Sequence, residues 1–232
     1  MRRPSKTANV RFKRWLIPTL LSVTSITATA LNKDEQFWVS AVSQTYGERA
    51  GKRVETWRSK LAHLSSESEK TKMTEVNNFF NQLYFVNDID LWGKNDYWAT
   101  PLEFLGSNAG DCEDFTIAKY FSLLELGVPD NKLRLVYVKA LELNQFHMVL
   151  AYYEKPSSVP LILDNINPVI KPATKRRDLL PIYSFNGKNL WLMKEKASGT
   201  LAGKSSRLSL WNELRSRKDA VKLNKPIRNY DE

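Results

Sequence analysis

The sequence predicts a fold of the α+β class, with helices in the first half and an antiparallel sheet in the second. Apolar residues recur at helical spacing before residue 127, whereas from Leu133 onward they form short runs rich in Val, Ile, Leu and Tyr. The short connections between these runs favour an antiparallel meander. The 232 residues are 42% hydrophobic and 11% aromatic, which suits one domain with a substantial core, with room for a small appendage.

Three helices are predicted before the middle of the chain. The first covers 33–47 and the second, amphipathic, runs from Arg53 to Leu64. A polar joint at 65–69 starts the third, which is predicted to continue to about Val86. The residues expected to face inward are Met73, Val76, Phe79, Phe80, Leu83 and Tyr84.

The segment 88–110 is predicted to be irregular, because it is rich in Trp, Asn, Gly and Pro; such segments wrap a surface or shape a cleft. A further helix begins after it. Asp111 is a good N-cap, and Asp114 three residues later completes a variant of the capping box. This helix is predicted to stop at Gly127-Val128-Pro129.

The second half predicts the strands of the sheet. The three candidates are Leu133–Leu141, Phe146–Glu154 and Leu161–Ile166. In the second candidate, alternation puts His147, Val149, Ala151 and Tyr153 on one face, opposite Met148, Leu150 and Tyr152. The basic run Lys175-Arg176-Arg177 marks a loop, Tyr183–Met193 is expected to add a strand pair, and a short helix is expected after Leu210.

The charge distribution argues against a nucleic-acid partner. The formal net charge is +10, but the first 30 residues carry +6 and residues 194–232 carry +5, which leaves −1 for residues 31–193. No basic stripe with interleaved aromatic residues crosses that body.

Residues 1–30 have the order of parts found in an export signal. A basic start precedes the apolar stretch Trp15–Val23, and the small residues Ala28-Thr29-Ala30 form a cleavage site of the A-x-A type. The apolar stretch is short and contains Pro18, which disfavours a permanent membrane span. An uncleaved anchor and an amphipathic cytosolic arm remain as alternatives to a cleavable signal peptide.

Cys112 is the single cysteine of the chain, and export makes it informative. A structural cysteine in an oxidising compartment normally has a partner, and this chain offers none. At a helix N-terminus the N–H groups and the dipole favour a thiolate. Cys112 is therefore a candidate nucleophile, with a buried, unreactive thiol as the alternative.

His147 and Asp164 follow Cys112 on successive predicted strands. Taken singly, a histidine in a strand and an aspartate at a strand end are more often structural. Their order is nevertheless suggestive, because an imidazolium beside a thiolate lowers the thiol pKa and a carboxylate on the second ring nitrogen fixes the tautomer.

Three carboxylates, Asp111, Glu113 and Asp114, surround the cysteine in sequence. Each negative charge opposes ionisation of the thiol, and the helix terminus offsets only part of that effect. A hard cation with oxygen ligands would cancel the charge. The alternative is simple helix capping together with solvated acids.

Four motifs together resemble the bacterial transglutaminase-like cysteine proteinases, over roughly residues 33–195. They are Tyr97-Trp98-Ala99-Thr100-Pro101, Gly110-Asp111-Cys112-Glu113-Asp114-Phe115, Phe146-His147-Met148-Val149-Leu150 and Leu163-Asp164-Asn165. The expected domain plan is a signal peptide at 1–30, a protease domain at 31–195 and a basic C-terminal extension at 196–232.

The resemblance implies a papain/transglutaminase-like fold, a helical N-terminal part packed on an antiparallel sheet, with a catalytic triad of Cys112, His147 and Asp164. It also implies a dependence on Ca²⁺, with Asp111 and Glu113 as ligands and Asp114 a less certain one. The implied activity is endoproteolysis in the periplasm near the N-terminus of a large surface adhesin, which disperses a biofilm. The implied partner is an inner-membrane cyclic-di-GMP receptor that sequesters the protease.

Two rival functions remain open at this stage. A transglutaminase or amide transferase would resolve the same acyl-thioester with an amine, and a product assay would distinguish crosslinking or ammonia release from chain cleavage. A catalytically silent calcium-binding adaptor would leave Cys112 unmodified by thiol-reactive probes.

Overall fold

The computed structural model describes residues 30–193 and 199–231, so the predicted signal peptide lies almost wholly outside the described residues. The described helices are α1 (Lys33–Tyr46), α2 (Glu48–Leu64), α3 (Glu69–Phe80), α4 (Asp88–Leu91), α5 (Pro101–Ser107), α6 (Cys112–Glu125) and α7 (Ser209–Asp219). The described strands are β1 (Tyr84–Phe85), β2 (Ala109–Gly110), β3 (Leu133–Ala140), β4 (Gln145–Tyr152), β5 (Leu161–Leu163), β6 (Lys171–Pro172), β7 (Leu179–Phe185), β8 (Asn189–Met193) and β9 (Gly199–Lys204).

Helices α1 and α2 form an antiparallel pair joined by one residue. Asn32 begins α1 with a complete capping box, and Gly47, at φ +105°, turns the chain directly into α2. The second helix was predicted to begin at Arg53, and that start is wrong by about one turn. The structural reason is the close contact with α1: a Cβ at Gly51 would lie 1.8 Å from Ser43 Oγ, so the first turn of α2 packs tightly on its neighbour.

Helix α3 ends at Phe80, earlier than the predicted end near Val86. The chain turns at Asn81 and becomes extended, because the Tyr84 and Val86 backbone N–H groups donate to the carbonyl oxygens of residues 108 and 110. This parallel pairing of β1 with β2 overrides the helical periodicity. Tyr84, predicted to face inward, is 59% exposed.

The segment predicted to be irregular contains two short helices, α4 and α5. Pro101 lies at the first position of α5, and Thr100 forms a capping box with the buried Glu103. The prediction of an irregular segment is therefore wrong for residues 101–107, where Thr100, Pro101 and Glu103 provide local signals for the start of a helix.

The main sheet has seven strands in the order β6-β5-β4-β3-β7-β8-β9, and its neighbouring strands are antiparallel. The predicted meander is present from β3 to β6, but the chain then returns to the other edge of β3. The alternation predicted for β4 is observed: Met148 and Leu150 belong to the main core, where α6 packs, and Val149 and Ala151 belong to a smaller apolar cluster on the opposite face.

The C-terminal helix α7 packs into the same core as the N-terminal helices. Trp211 and Leu214 are completely buried, and Trp211 stacks on Phe121. The domain boundary placed at residue 195 stays a prediction. Within the described ranges, no helix combines the length and apolarity needed to cross a membrane.

Candidate active site

Cys112 is the first residue of α6, and a capping box formed by the residues before and after it fixes its position. Asp111 is the N-cap, its side chain accepts from the Glu113 backbone N–H, and Asp114 Oδ2 accepts from the Asp111 backbone N–H. A Cβ at Gly110 would lie 2.4 Å from Asp114 Oδ2, so only glycine lets the chain pass this close to the cap. The capping box expected from the sequence is present.

The first turn of α6 lies against the free edge of β4. Thr116 Oγ1 donates to the Met148 carbonyl at 3.0 Å, and the Met148 backbone amide lies near enough to the Cys112 sulfur to lower the pKa of the thiol. These two groups of Met148 point to the same edge of the strand, and β5 pairs only with residues 150–152. The helix therefore occupies the edge that β5 leaves open, and its first turn binds the residue next to His147.

His147 and Asp164 form a buried pair. His147 Nε2 and Asp164 Oδ1 are 2.7 Å apart, and the two residues are 1% and 2% exposed. The other carboxylate oxygen, Oδ2, accepts from Arg176 Nη2, also at 2.7 Å. Although burial raises the pKa of Asp164, the hydrogen bonds and charges of His147 and Arg176 outweigh burial and lower it to about 2.

Cys112 is not hydrogen-bonded to His147 among the described residues. Its thiol donates to Glu113 Oε2 at 2.8 Å instead. Burial raises the pKa of the thiol well above its ordinary value, and the charges of Glu113 and Asp111 raise it further. In this arrangement burial and the acidic neighbours together favour the protonated form of the thiol.

The carboxylates form a cluster that includes an acid not expected from the sequence. Donor oxygens of Asp88, Asp111 and Asp114 lie within 4.8 Å of one another, and so do donor atoms of Asp111, Cys112 and Glu113. Asp88 is in α4, in the segment predicted to be irregular, and no sequence signal distinguished it from other loop acids. Tyr97 N–H donates to Asp88 Oδ2.

The cluster brings several carboxyl groups together without a compensating basic residue. Burial, as the largest cause, raises the pKa of Asp111 and of Asp114 well above the ordinary value, and it raises the pKa of Asp88 to about 7. In the described parts of the chain, no lysine or arginine forms an ion pair with any of these carboxylates or with Glu113. Asp88 Oδ1 is buried and accepts no hydrogen bond from the described residues.

This donor set fits a hard divalent cation. It consists of carboxylate oxygens around one buried, unpartnered oxygen atom, and such oxygens are the ligands that Ca²⁺ prefers. Of the three ligands that the resemblance implies, Asp111 and Glu113 lie in one donor group with Cys112, and Asp111 and Asp114 lie in the other with Asp88. Both oxygens of Asp114 already accept backbone N–H groups, from Ala99 and from Asp111.

Comparison with known proteins identifies one family and three close structures. The family model described as bacterial transglutaminase-like cysteine proteinase matches residues 44–191. The structure of Legionella pneumophila LapG treated with EGTA is 40% identical, with a TM-score of 0.71, and the alignment covers 79% of this chain and 97% of LapG. Another LapG structure gives 40% identity and a TM-score of 0.70 over the same shares of the two chains.

The third structure is calcium-bound Legionella pneumophila LapG, which is 41% identical with a TM-score of 0.68 over 77% of this chain and 96% of that one. A search of the curated proteins returned no match.

Proposed function

The chain belongs to the bacterial transglutaminase-like cysteine proteinases, and from this premise we propose that it is a calcium-dependent endopeptidase of the periplasm that cleaves a large surface adhesin. That the chain is a cysteine protease follows from the family itself. The metal dependence, the substrate and the location are the proposed parts. The observation that carries the catalytic assignment is the buried hydrogen bond between His147 and Asp164, next to the residue of β4 to which the first turn of α6 is hydrogen-bonded.

The residues divide the chemistry as follows. The Cys112 sulfur attacks the scissile carbonyl carbon, and His147 takes the thiol proton and then delivers it to the departing amine nitrogen. Water next attacks the resulting thioester, with His147 as base, and regenerates the thiol. His147 Nε2 is engaged by Asp164, so Nδ1 is the ring nitrogen left to exchange protons with the thiol.

The backbone of α6 supplies one donor for the oxyanion of the tetrahedral intermediate. The Cys112 N–H is the first amide of the helix and makes no hydrogen bond with the described residues. It therefore remains available, next to the nucleophile, for charge that develops on the substrate oxygen.

Asp111, Glu113, Asp114 and Asp88 are the residues that would hold calcium. Bound calcium would supply positive charge to this cluster and so favour the thiolate. In the absence of such charge, Glu113 accepts a hydrogen bond from the thiol, and its negative charge opposes ionisation of Cys112. The calcium-bound and EGTA-treated structures of LapG support this assignment by similarity.

The biological setting is proposed from the family resemblance and the predicted signal peptide. The substrate would be the N-terminal region of a surface adhesin, cut at an Ala-Ala site, with release of the adhesin and dispersal of the biofilm. An inner-membrane cyclic-di-GMP receptor would sequester the protease and control access to the substrate.

The proposal is tested by incubating the purified protein with the N-terminal region of an adhesin from the same bacterium, in calcium or in excess EGTA. We expect cleavage in calcium alone, no cleavage by Cys112→Ala, and no cleavage by Glu113→Ala, which should mimic the chelator. His147→Asn should also abolish cleavage, whereas its matched control His63→Asn, at the exposed histidine, should not. Full activity in excess EGTA would refute the calcium role, and crosslinked product or released ammonia would favour amide transfer.

A further inference from the structure

Arg176 is a buried arginine in the loop between β6 and β7, within a run of basic residues. It is 4% exposed, whereas its neighbour Arg177 is exposed. Its Nη2 donates to Asp164 Oδ2 at 2.7 Å and to Asp178 Oδ2 at 2.8 Å, and its Nε donates to Asp178 Oδ1 at 3.0 Å. One planar guanidinium group thus bridges two carboxylates.

Asp164 accepts hydrogen bonds from four residues in different parts of the chain. His147 from β4 and the Ile166 backbone N–H both bind Oδ1, so Oδ2 is the oxygen that Arg176 alone engages among the described side chains. Asn81, after α3, donates to the backbone carbonyl and leaves the carboxylate unaffected.

A second cation, Lys119 of α6, lies near enough to the same carboxylate to interact with its charge. Burial lowers the pKa of Lys119 to about 7, although the charge of Asp164 opposes this shift. Lys119 is therefore only partly charged near neutral pH, whereas a guanidinium group remains charged throughout. Arg176 is the permanent counter-ion of Asp164, and Asp178 holds it in place.

We propose that Arg176 is a positioning residue of the protease, which fixes the rotation of the Asp164 carboxylate so that Oδ1 stays directed at His147 Nε2. This inference rests on the triad assigned under the proposed function. A carboxylate held only by His147 and one amide can turn about its side-chain bonds. The bridge to Asp178 prevents that turn, because the guanidinium plane is itself fixed at two points.

The test uses NMR of ¹⁵N-histidine-labelled protein saturated with calcium, in which only two histidines, His63 and His147, give signals. A proton held between Nε2 and a carboxylate resonates far downfield, and His147→Asn assigns it. We expect Arg176→Gln to abolish or move this resonance. The matched control, Arg177→Gln, removes the same charge one residue away and should leave the resonance in place.

Kinetics on the adhesin fragment give a second readout. We expect Arg176→Gln to lower kcat on the order of 10- to 100-fold with KM unchanged, because a misdirected imidazole impairs the chemical step and not substrate binding. Arg176→Lys keeps the charge but cannot bridge both carboxylates. Its His147 resonance and its kcat should therefore lie between those of the unmodified protein and of Arg176→Gln. It also serves as the second variant if Arg176→Gln does not fold.

An unchanged His147 resonance in a folded Arg176 variant would overturn the proposal, even if the melting temperature fell, since Arg176 would then be a purely structural ion pair. The resonance requires no substrate. If the adhesin is not the substrate, or if Cys112 is not the nucleophile, the cleavage assay will show it, and the NMR test of Arg176 is unaffected.

Discussion

At the scale of single residues, the carboxylates of the site differ in whether a cation or a hydrogen-bond donor partners them. Asp164 has His147 and Arg176 as partners and remains ionised. In the acidic cluster, Asp88 has a buried oxygen with no hydrogen-bond partner among the described residues. The sequence suggested a cation from the acids around Cys112, and the structure adds an independent reason for one.

Replacing Asp88 by Asn should weaken calcium binding, because it removes one carboxylate from the cluster at nearly constant volume. We expect a loss of affinity on the order of 10- to 100-fold, measured by calorimetric titration with CaCl₂. Asp90→Asn is the matched control, since Asp90 lies two residues along the same short helix and is exposed. Equal affinities for the two variants would remove Asp88 from the site.

The balanced charge of Asp164 predicts an acid-sensitive contribution to stability. Its pKa is lowered to about 2 in the folded protein, against roughly 3.9 in an unfolded chain, so the unfolded state binds more protons within that window. The stabilisation is present above about pH 4 and is lost as the pH falls through about 2, and it amounts to roughly 2 kcal/mol.

Urea unfolding of the protein and of Asp164→Asn in EGTA measures this contribution. The difference between their free energies of unfolding should shrink as the pH falls from about 5 to about 2.5. The acidic cluster titrates in both proteins, so its effect largely cancels in the comparison. A difference that stays constant with pH would contradict the assigned partners of Asp164.

At the scale of elements, the site depends on how a helix meets a strand edge. Helix α6 supplies Cys112 and contacts Met148, while β4 supplies His147, and the short β5 leaves room for the first turn of the helix. Helix α7 packs against both α6 and the sheet. Trp211 contacts Tyr120 and Phe121 of α6 and Phe185 of β7.

Trp211→Ala should therefore destabilise the whole domain, although Trp211 lies outside the residues matched by the family model. A fully buried tryptophan truncated to alanine costs about 3–5 kcal/mol, which thermal or denaturant unfolding would detect. Leu201→Ala, at a position 62% exposed on β9, should change the free energy of unfolding by no more than about 0.5 kcal/mol. If the two variants are equally stable, α7 is not part of the folding unit.

At the scale of the whole molecule, the acidic cluster links segments far apart in sequence. Asp88 belongs to α4, and the tail after α7 crosses the same region, where the Ile227 N–H donates to the Leu91 carbonyl. Arg217 donates to the Trp98 carbonyl in the loop between α4 and α5. A cation bound to the cluster would therefore join α4 to the N-terminus of α6.

Calcium should raise the melting temperature, because a ligand that binds only the folded state stabilises it. At a concentration 100-fold above Kd the gain is about 2.7 kcal/mol, which corresponds to roughly 5–10 °C for a chain of this size. Scanning calorimetry with calcium, with EGTA and with equal Mg²⁺ measures the effect. Mg²⁺ should shift the midpoint much less, and an equal shift by both ions would exclude a selective calcium site.

The sequence by itself determined the parts of this protein that local physical chemistry controls. Capping and a change from helical to strand periodicity located α6 and placed Cys112 at its N-terminus, with His147 in β4 and Asp164 directly after β5, which ends at Leu163 and not at the predicted Ile166. Alternation along β4 separated its two faces correctly. These features depend on residues only a few positions apart, so their signals can be found without knowledge of the remainder of the chain.

Only the tertiary structure decided the features that depend on contacts between distant residues. It ended α3 at Phe80 by pairing β1 with β2, placed β7 on the free edge of β3, and brought Asp88 to the acidic cluster and Arg176 to Asp164. Loop acids and basic runs are common, and no local signal marks the one that will be buried against a partner far away in sequence. That choice depends on how the packed elements close their loops and bury their charges.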